Sequence, residues 1–429
     1  MAMRRCIERK RDGGELSAAE WHGIVAGFMN QTIDEAQMAA LCMACAWRGM
    51  SFDEAYALTN AMVESGSRLT FDPAAGIVVD KHSSGGVSDI VSLVAVPLAA
   101  ACGARVAKLS GRALGHTGGT IDKLETIPGF DVALSLDRFV QQVQRVGCAI
   151  AAQTETLVPA DKRIYKLRDR TGAVPSMGLI ASSIVSKKIA GGAHSFVFDV
   201  KSGPAAFLHR QEDARELAQW LVEISARFGR RATAYVTDMH QPLGRSIGTG
   251  IEIIEAREFL RNRGDARARE LVIAIAATLV AETGADEPED LVRSALESGR
   301  GYAKFLEMIE AQGGDIAAFE RVEAGDEVRI VAAQSGRVRA MDVVALGHMG
   351  RALSTHDATG GLWIHVRIGD YVEAGAPLLS AFGADREHAH SLIGAFTISS
   401  EPFEPPPLIY DALCNAVAPV YERSISEMM

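Results

Sequence analysis

Asp80-Lys81-His82-Ser83-Ser84-Gly85-Gly86-Val87-Ser88-Asp89 follows the apolar run Ile77-Val78-Val79 and precedes the apolar stretch from Ile90 to Ala101. The run predicts a short buried strand and the stretch a helix. The glycines and hydroxyls between them predict the turn that joins the two. A strand, glycine loop and helix in that order present free backbone N–H groups and the positive end of a helix dipole to an anion. Lys81 adds charge, and Ser83 and Ser92 add hydroxyls, so the expected occupant is an oxyanion, phosphate first. A second stretch, Ser110-Gly111-Arg112-Ala113-Leu114-Gly115-His116-Thr117-Gly118-Gly119-Thr120-Ile121-Asp122-Lys123-Leu124-Glu125, repeats that chemistry, with Ser110 and Thr120 as donors. Neither stretch carries the Gly-Lys-Ser/Thr ending of a P-loop, and neither is a dinucleotide fingerprint near the N-terminus. One such loop reads equally well as a tight turn; two close together favour an anion site.

Working outward, apolar spacing of three and four predicts helices over Glu15–Met29, Ile33–Arg48 and Phe52–Ser65. From Ile77 short apolar strands (Arg105–Ala107, Ala149–Ala152, Phe196–Val200, Ala232–Thr237) alternate with helical patterns such as Arg138–Val146 and Asp213–Phe228. That alternation predicts an α/β layer with a mainly parallel sheet. Two helices interrupt it, one from Pro159 through Tyr165 and Arg168, the other from Ile180 to Ala190, closed by Gly191-Gly192; they are expected to pack back on the N-terminal helices. From Val322 the texture becomes β-rich, with strands expected at Asp326–Ala333, Gly336–Ala340, Gly361–Val366 and Leu378–Phe382. The predicted class is therefore α/β: a helical domain of residues 1–66 with 159–192, an α/β phosphate-binding domain of 67–158 with 193–321, and a C-terminal α+β domain of 322–429.

A net charge of −10 argues against a nucleic-acid binder, which needs a basic surface. The basic start of the chain is followed by no signal-peptide core, and the apolar run after Ile90 is broken by Ser92, Pro97 and Gly103, so no membrane partner and a cytoplasmic location are expected. Six cysteines do not make a disulfide framework, and Cys42 and Cys45, lacking a second pair at metal-ligand spacing, read as core residues of an apolar helix.

The two loops resemble the signature loops of the thymidine and pyrimidine-nucleoside phosphorylases. The resemblance continues through Pro159-Ala160-Asp161-Lys162, Tyr165-x-x-Arg168-Asp169, Ile180-Ala181-Ser182-Ser183-Ile184-Val185-Ser186-Lys187-Lys188, Phe198-Asp199-Val200-Lys201, Thr237-Asp238-Met239-x-Gln241-Pro242-Leu243-Gly244 and Ala311-Gln312-Gly313-Gly314. It implies reversible phosphorolysis of a pyrimidine (deoxy)nucleoside to free base and α-(deoxy)ribose 1-phosphate, with inorganic phosphate as co-substrate and no required cofactor. It implies that Lys81, Ser83, Ser92, Lys108, Ser110 and Thr120 hold phosphate. Tyr165, Arg168, Ser183 and Lys187 would hold the base, with His82 beside it, and His82, Arg168 and Lys187 are the catalytic candidates. A homodimer joined through the N-terminal helices is implied as well. The residue types suit the chemistry. Negative charge grows on the departing base, and two cations bind that charge better than the neutral substrate, as catalysis requires. Ligands on two separate domains predict a cleft that closes on its substrates.

The chain departs from the family pattern at Ser88 and Ile90, where Gly and often Thr stand. Some family members hold a potassium ion there, and its matching ligands here would be Ser88, Leu243, Ser246 and Glu255. Arg170 to Gly178 also differs from the usual segment and adds charge beside Arg168, which opens an alternative: the same phosphorolysis redirected to a modified nucleoside. Two further alternatives are an anthranilate-type phosphoribosyltransferase, which would need a magnesium–diphosphate site, and a non-catalytic nucleoside-binding protein.

Overall fold

The computed structural model describes residues 3–415, apart from 73, 75, 113–117, 385 and 402. It opens with four helices, α1 (Met3–Arg11), α2 (Ala18–Met29), α3 (Glu35–Arg48) and α4 (Phe52–Glu64). The last three each start on a reciprocal cap: Ser17 with Glu20, Asp34 with Gln37, and Ser51 with Glu54. Each cap satisfies two N–H groups that a helix start otherwise leaves bare, which is why α2 begins at Ala18 rather than at Glu15. Glu54 also anchors α1, accepting at 2.5 Å from buried Lys10.

The chain then alternates: β1 (Val78–Ser83), α5 (Val91–Ala101), β2 (Arg105–Ser110), α6 (Thr120–Leu124), α7 (Leu136–Val146), β3 (Cys148–Ala152), α8 (Pro159–Thr171), α9 (Met177–Ala190), β4 (Ser195–Ser202), α10 (Gln211–Arg227) and β5 (Arg231–Asp238). Strands β1 to β5 are parallel, with β4 beside β1. Their residues alternate between two cores. Val78, Ala107, Leu109, Phe196 and Phe198 pack with the helical lobe, and Val79, Val106 and Val197 pack with α5. With both faces covered, the strands are apolar on both sides. Helices α8 and α9 share the core of the N-terminal helices, as expected: Ile164 and Leu179 join Trp21, Leu41 and Leu58. Gly192, which ends α9, is fixed as glycine by φ +78° and by a Cβ position only 2.5 Å from the Leu69 carbonyl oxygen.

Next come β6 (Ser246–Ile247), α11 (Thr249–Glu258), α12 (Ala266–Ala281), α13 (Pro288–Glu297), α14 (Arg300–Ala311) and α15 (Ile316–Glu320). The C-terminal part holds β7 (Glu327–Val331), β8 (Gly336–Met341), α16 (Val343–His356), β9 (Gly361–Ile364), β10 (Tyr371–Val372), β11 (Pro377–Phe382), α17 (Arg386–Ser391) and β12 (Phe396–Ser399). These strands form two small sheets, one of them joined by β6. A last strand, β13 (Ile409–Cys414), returns to the main sheet and pairs antiparallel with β5, giving the order β13-β5-β4-β1-β2-β3.

Two expectations shift. Strand β1 runs on through Lys81, His82 and Ser83, and β2 through Lys108 and Ser110, so these residues stand on strands rather than in loops. Flanking parallel partners supply the backbone hydrogen bonds that carry the polar residues into the sheet. Cys42 and Cys45 are buried core residues, and burial raises both thiols, Cys42 to about 11.

Candidate active site

In an open parallel sheet, ligands gather at the carboxyl ends of the strands, where successive connections turn in opposite directions. Here that point lies between β1 and β4, because β1 leads to β2 on one side and β4 leads to β5 on the other. At this edge Ser83 pairs in register with Asp199. The ammonium of Lys81, fully buried, lies 3.4 Å from the Ser92 hydroxyl, 3.5 Å from Asp199 and 3.9 Å from Asp89. Lys201 forms a 2.7 Å ion pair with Asp199, and Thr237 donates to the same carboxylate at 2.7 Å. Burial would raise the Asp89 carboxyl, but Lys81, Lys201, Lys123 and the Ser83 hydroxyl together hold it well below the usual range. Ser92 sits in the first turn of α5, which has no side-chain cap of its own. Thus Lys81, Ser83 and Ser92 come together, with Lys108 and Ser110 on the neighbouring strand. Thr120 opens α6 beyond residues 113–117; His116, a secondary candidate, lies outside the described residues.

The alternate residues of β1 face the helical lobe. Buried Asp80 pairs at 2.7 Å with buried Lys188 of α9, whose ammonium also donates to the Leu109 carbonyl at 3.3 Å. Burial, and then Lys188 and Lys81, push Lys108 far below the ordinary lysine range. His82 is half-buried, its ring edge-on to Phe198 at 6.4 Å. Burial and four lysines (188, 108, 187 and 81) depress it well below 6.5, so it stands as a neutral imidazole at neutral pH. A neutral ring keeps one N–H to donate and one nitrogen to accept.

The remaining candidates lie on α8 and α9. Lys187 donates to Asp161 at 2.7 Å and to Ser183, one helical turn back, at 2.8 Å. The Tyr165 ring lies between cations, its centroid 5.8 Å from the Lys187 nitrogen and 5.7 Å from the Arg168 guanidinium carbon. Arg168 is only 1% exposed. Its guanidinium donates to the carbonyls of Ala173, Val174 and Leu179, at 3.2, 2.7 and 3.0 Å. The segment 173–179 therefore fixes the fork of Arg168. Tyr165, Arg168, Ser183 and Lys187 form one group, and the Asp80–Lys188 ion pair, one residue from Lys81 and from Lys187, joins their helix to the end of β1.

The matching potassium ligands are engaged within the chain. The Glu255 carboxylate accepts from the backbone of Arg245 at 2.7 Å and of Ser246 at 2.8 Å, and from the Ser246 hydroxyl. The Leu243 carbonyl accepts from Arg367 at 2.9 Å. The Ser88 carbonyl accepts from Gly244 at 3.0 Å and from Ile90 at 3.1 Å. The Ser88 hydroxyl is buried without a hydrogen-bond partner, and Ile90 offers no side-chain oxygen.

Sequence reasoning did not single out Asp80, Asp89, Asp161, Lys188, Asp199 or Lys201 as site residues. A signal existed for Asp199 and Lys201: two charges at alternate positions of an otherwise apolar strand stand on one buried face and require partners. For Asp161 the signal was its place in the family-like stretch Pro159-Ala160-Asp161-Lys162, but its partner lies on another helix.

A family model described as "Glycosyl transferase family, a/b domain" matches residues 75–302, and one described as "Glycosyl transferase family, helical bundle domain" matches residues 4–66. The chain is 40% identical over 433 aligned residues to a pyrimidine-nucleoside phosphorylase of Geobacillus stearothermophilus, covering 96% of this chain and 100% of that protein. It is 41% identical over 409 residues to one of Bacillus subtilis (strain 168), covering 92% and 94%. Among solved structures, the anthranilate phosphoribosyltransferase of Thermus thermophilus superposes with a TM-score of 0.58 at 19% identity, over 71% of this chain and 98% of that one; this shows a shared fold.

Proposed function

The chain belongs to the thymidine and pyrimidine-nucleoside phosphorylase family of glycosyltransferases, and on that premise we propose that it catalyses reversible phosphorolysis of pyrimidine (deoxy)nucleosides. The observation that supports this reading is the 2.7 Å ion pair of Asp80 with Lys188, which ties β1 beside Lys81 and His82 to α9 beside Lys187. Lys81 with Ser92 stands at the strand ends, and Lys187 with Ser183, Tyr165 and Arg168 stands on the facing helices.

Phosphate is held at the edge of the sheet by Lys81, Ser83, Ser92, Lys108, Ser110 and Thr120, oriented toward C1′ of the sugar. As the glycosidic bond breaks, negative charge moves onto the base, and Lys187 and Arg168 meet it in a site whose charges are already in place. His82, being neutral, donates its N–H to a base carbonyl rather than acting as a full acid. The test is release of free base from uridine, thymidine, deoxyuridine and cytidine, with and without inorganic phosphate. Phosphate-dependent release from uracil or thymine nucleosides is expected. Activity only with phosphoribosyl pyrophosphate, or tight binding with no turnover, would refute it.

We infer that the chain holds no resident potassium ion. Arg367, which donates to the carbonyls of Pro242 and Leu243, already supplies a positive charge there, and Ile90 withholds an oxygen. The same thermal midpoint in potassium and choline chloride is expected; a rise with potassium alone would overturn this. The homodimer is supported by an exposed apolar stripe on α3: Ala36, Ala40, Met43 and Trp47, the last 80% exposed. A cytoplasmic location is supported by six free cysteines, four of them buried.

A further inference from the structure

We propose that Asp161 is a positioning residue for the reaction: it fixes the direction in which Lys187 presents its charge to the base. The inference rests on the reading of Lys187 given above. A lysine ammonium is a compact charge on a flexible stem with three N–H donors and no preferred direction. Here two of the three are committed, one to the Asp161 carboxylate at 2.7 Å and one to the Ser183 hydroxyl at 2.8 Å. Tetrahedral geometry then fixes the direction of the third, which is left for the substrate. A floppy cation thus becomes a directed one, held before the reaction begins, which is the condition under which an electrostatic contact lowers a barrier.

The placement of Asp161 suits that task. It is buried, in the first turn of α8, where the helix dipole favours a carboxylate. The turn is fixed by Val158, left-handed at φ +50°, and by Pro159 at the first helical position. Arg168, on the same helix, puts a second cation in the group, and Tyr165 places its ring against both. The carboxylate therefore also lets two cations share one site, leaving one net positive charge for the developing anion. Ser183 cannot do this alone, since a hydroxyl orients but does not compensate charge.

The test is a double-mutant cycle on the full chain, with kcat and KM for phosphorolysis measured for Asp161→Asn, Asp161→Glu, Lys187→Met and the double variant Asp161→Asn with Lys187→Met. Asp161→Asn is expected to lower kcat by about ten- to a hundredfold, the range of couplings between contacting groups, with a small change in KM. Asp161→Glu is expected to recover part of that loss. With methionine at 187, Asp161→Asn is expected to change kcat less than about twofold, because there is no ammonium left to direct. The same fractional loss in both backgrounds would show that Asp161 acts through the fold and would overturn the proposal. Wild-type kcat in Asp161→Asn alone, with Lys187→Met impaired, would overturn the role of Asp161 while leaving that of Lys187 standing. Wild-type kcat in Lys187→Met would instead sink the reading of Lys187, and this inference with it.

Discussion

Asp199→Asn isolates the electrostatics beneath the proposed phosphate site. The Asp199 side chain is fully buried, as are those of its partners Lys81 and Lys201, at 3.5 and 2.7 Å. Asparagine keeps the shape and the hydrogen bond from Thr237 but removes the charge. Two ammonium groups are then left under the sheet edge with Asp89 as the nearby acid, 3.9 Å from Lys81. Removing one partner from a buried ion pair costs about 3–5 kcal/mol, because the remaining charge has lost its solvent and its counter-charge together. For a chain of 429 residues unfolding as one unit, each kcal/mol lowers the thermal midpoint by about 1 °C, so a fall of roughly 3–6 °C is expected. Thermal unfolding followed by circular dichroism measures it. The double variant Asp199→Asn with Lys201→Met separates charge from shape. If the loss comes from an unpaired ammonium, removing Lys201 recovers part of the midpoint. A single variant that melts with the parent, or a double variant that loses the sum of its parts, would refute the reasoning. Because Asp199 also holds Lys81, the KM for phosphate is expected to rise in the single variant.

His82 titrates below its ordinary value, so between that value and about pH 6.5 the unfolded chain binds a proton that the folded chain does not. Stability is then greatest above pH 6.5 and falls as pH is lowered, with a slope of up to one proton from this group. Thermal midpoints from pH 5 to 8 should therefore drop less steeply on the acid side in His82→Gln, and parallel curves would show that the fold does not depress His82. Trp47→Glu places a charge in the exposed apolar stripe of α3. Sedimentation is expected to show monomer in place of dimer, and an undisturbed dimer would move the interface elsewhere.

Local patterns made the architecture legible. Apolar spacing located the N-terminal helices, and three reciprocal caps set their starts within a few residues of where periodicity placed them. The loop after β1 was readable because glycines, hydroxyls and a lysine have little other reason to interrupt an apolar strand and helix. Strand order was not legible, since the alternation of strand and helix is compatible with β4 on either side of the sheet. Yet that order makes the site: only β4 beside β1 puts Asp199 and Lys201 against Lys81. Strand β13 was missed for a related reason. It is an edge strand after Pro405-Pro406-Pro407, its residues half-buried or exposed, and lacks the continuous apolar run that marked the central strands. The pairing of Asp161 with Lys187 depends on how α8 packs beside α9, a tertiary fact that no one-dimensional pattern carries. The cations proposed to meet substrate were thus readable from sequence, whereas the anions paired with them were not. A motif records residue types at fixed spacing, and compensation across a fold has no fixed spacing to record.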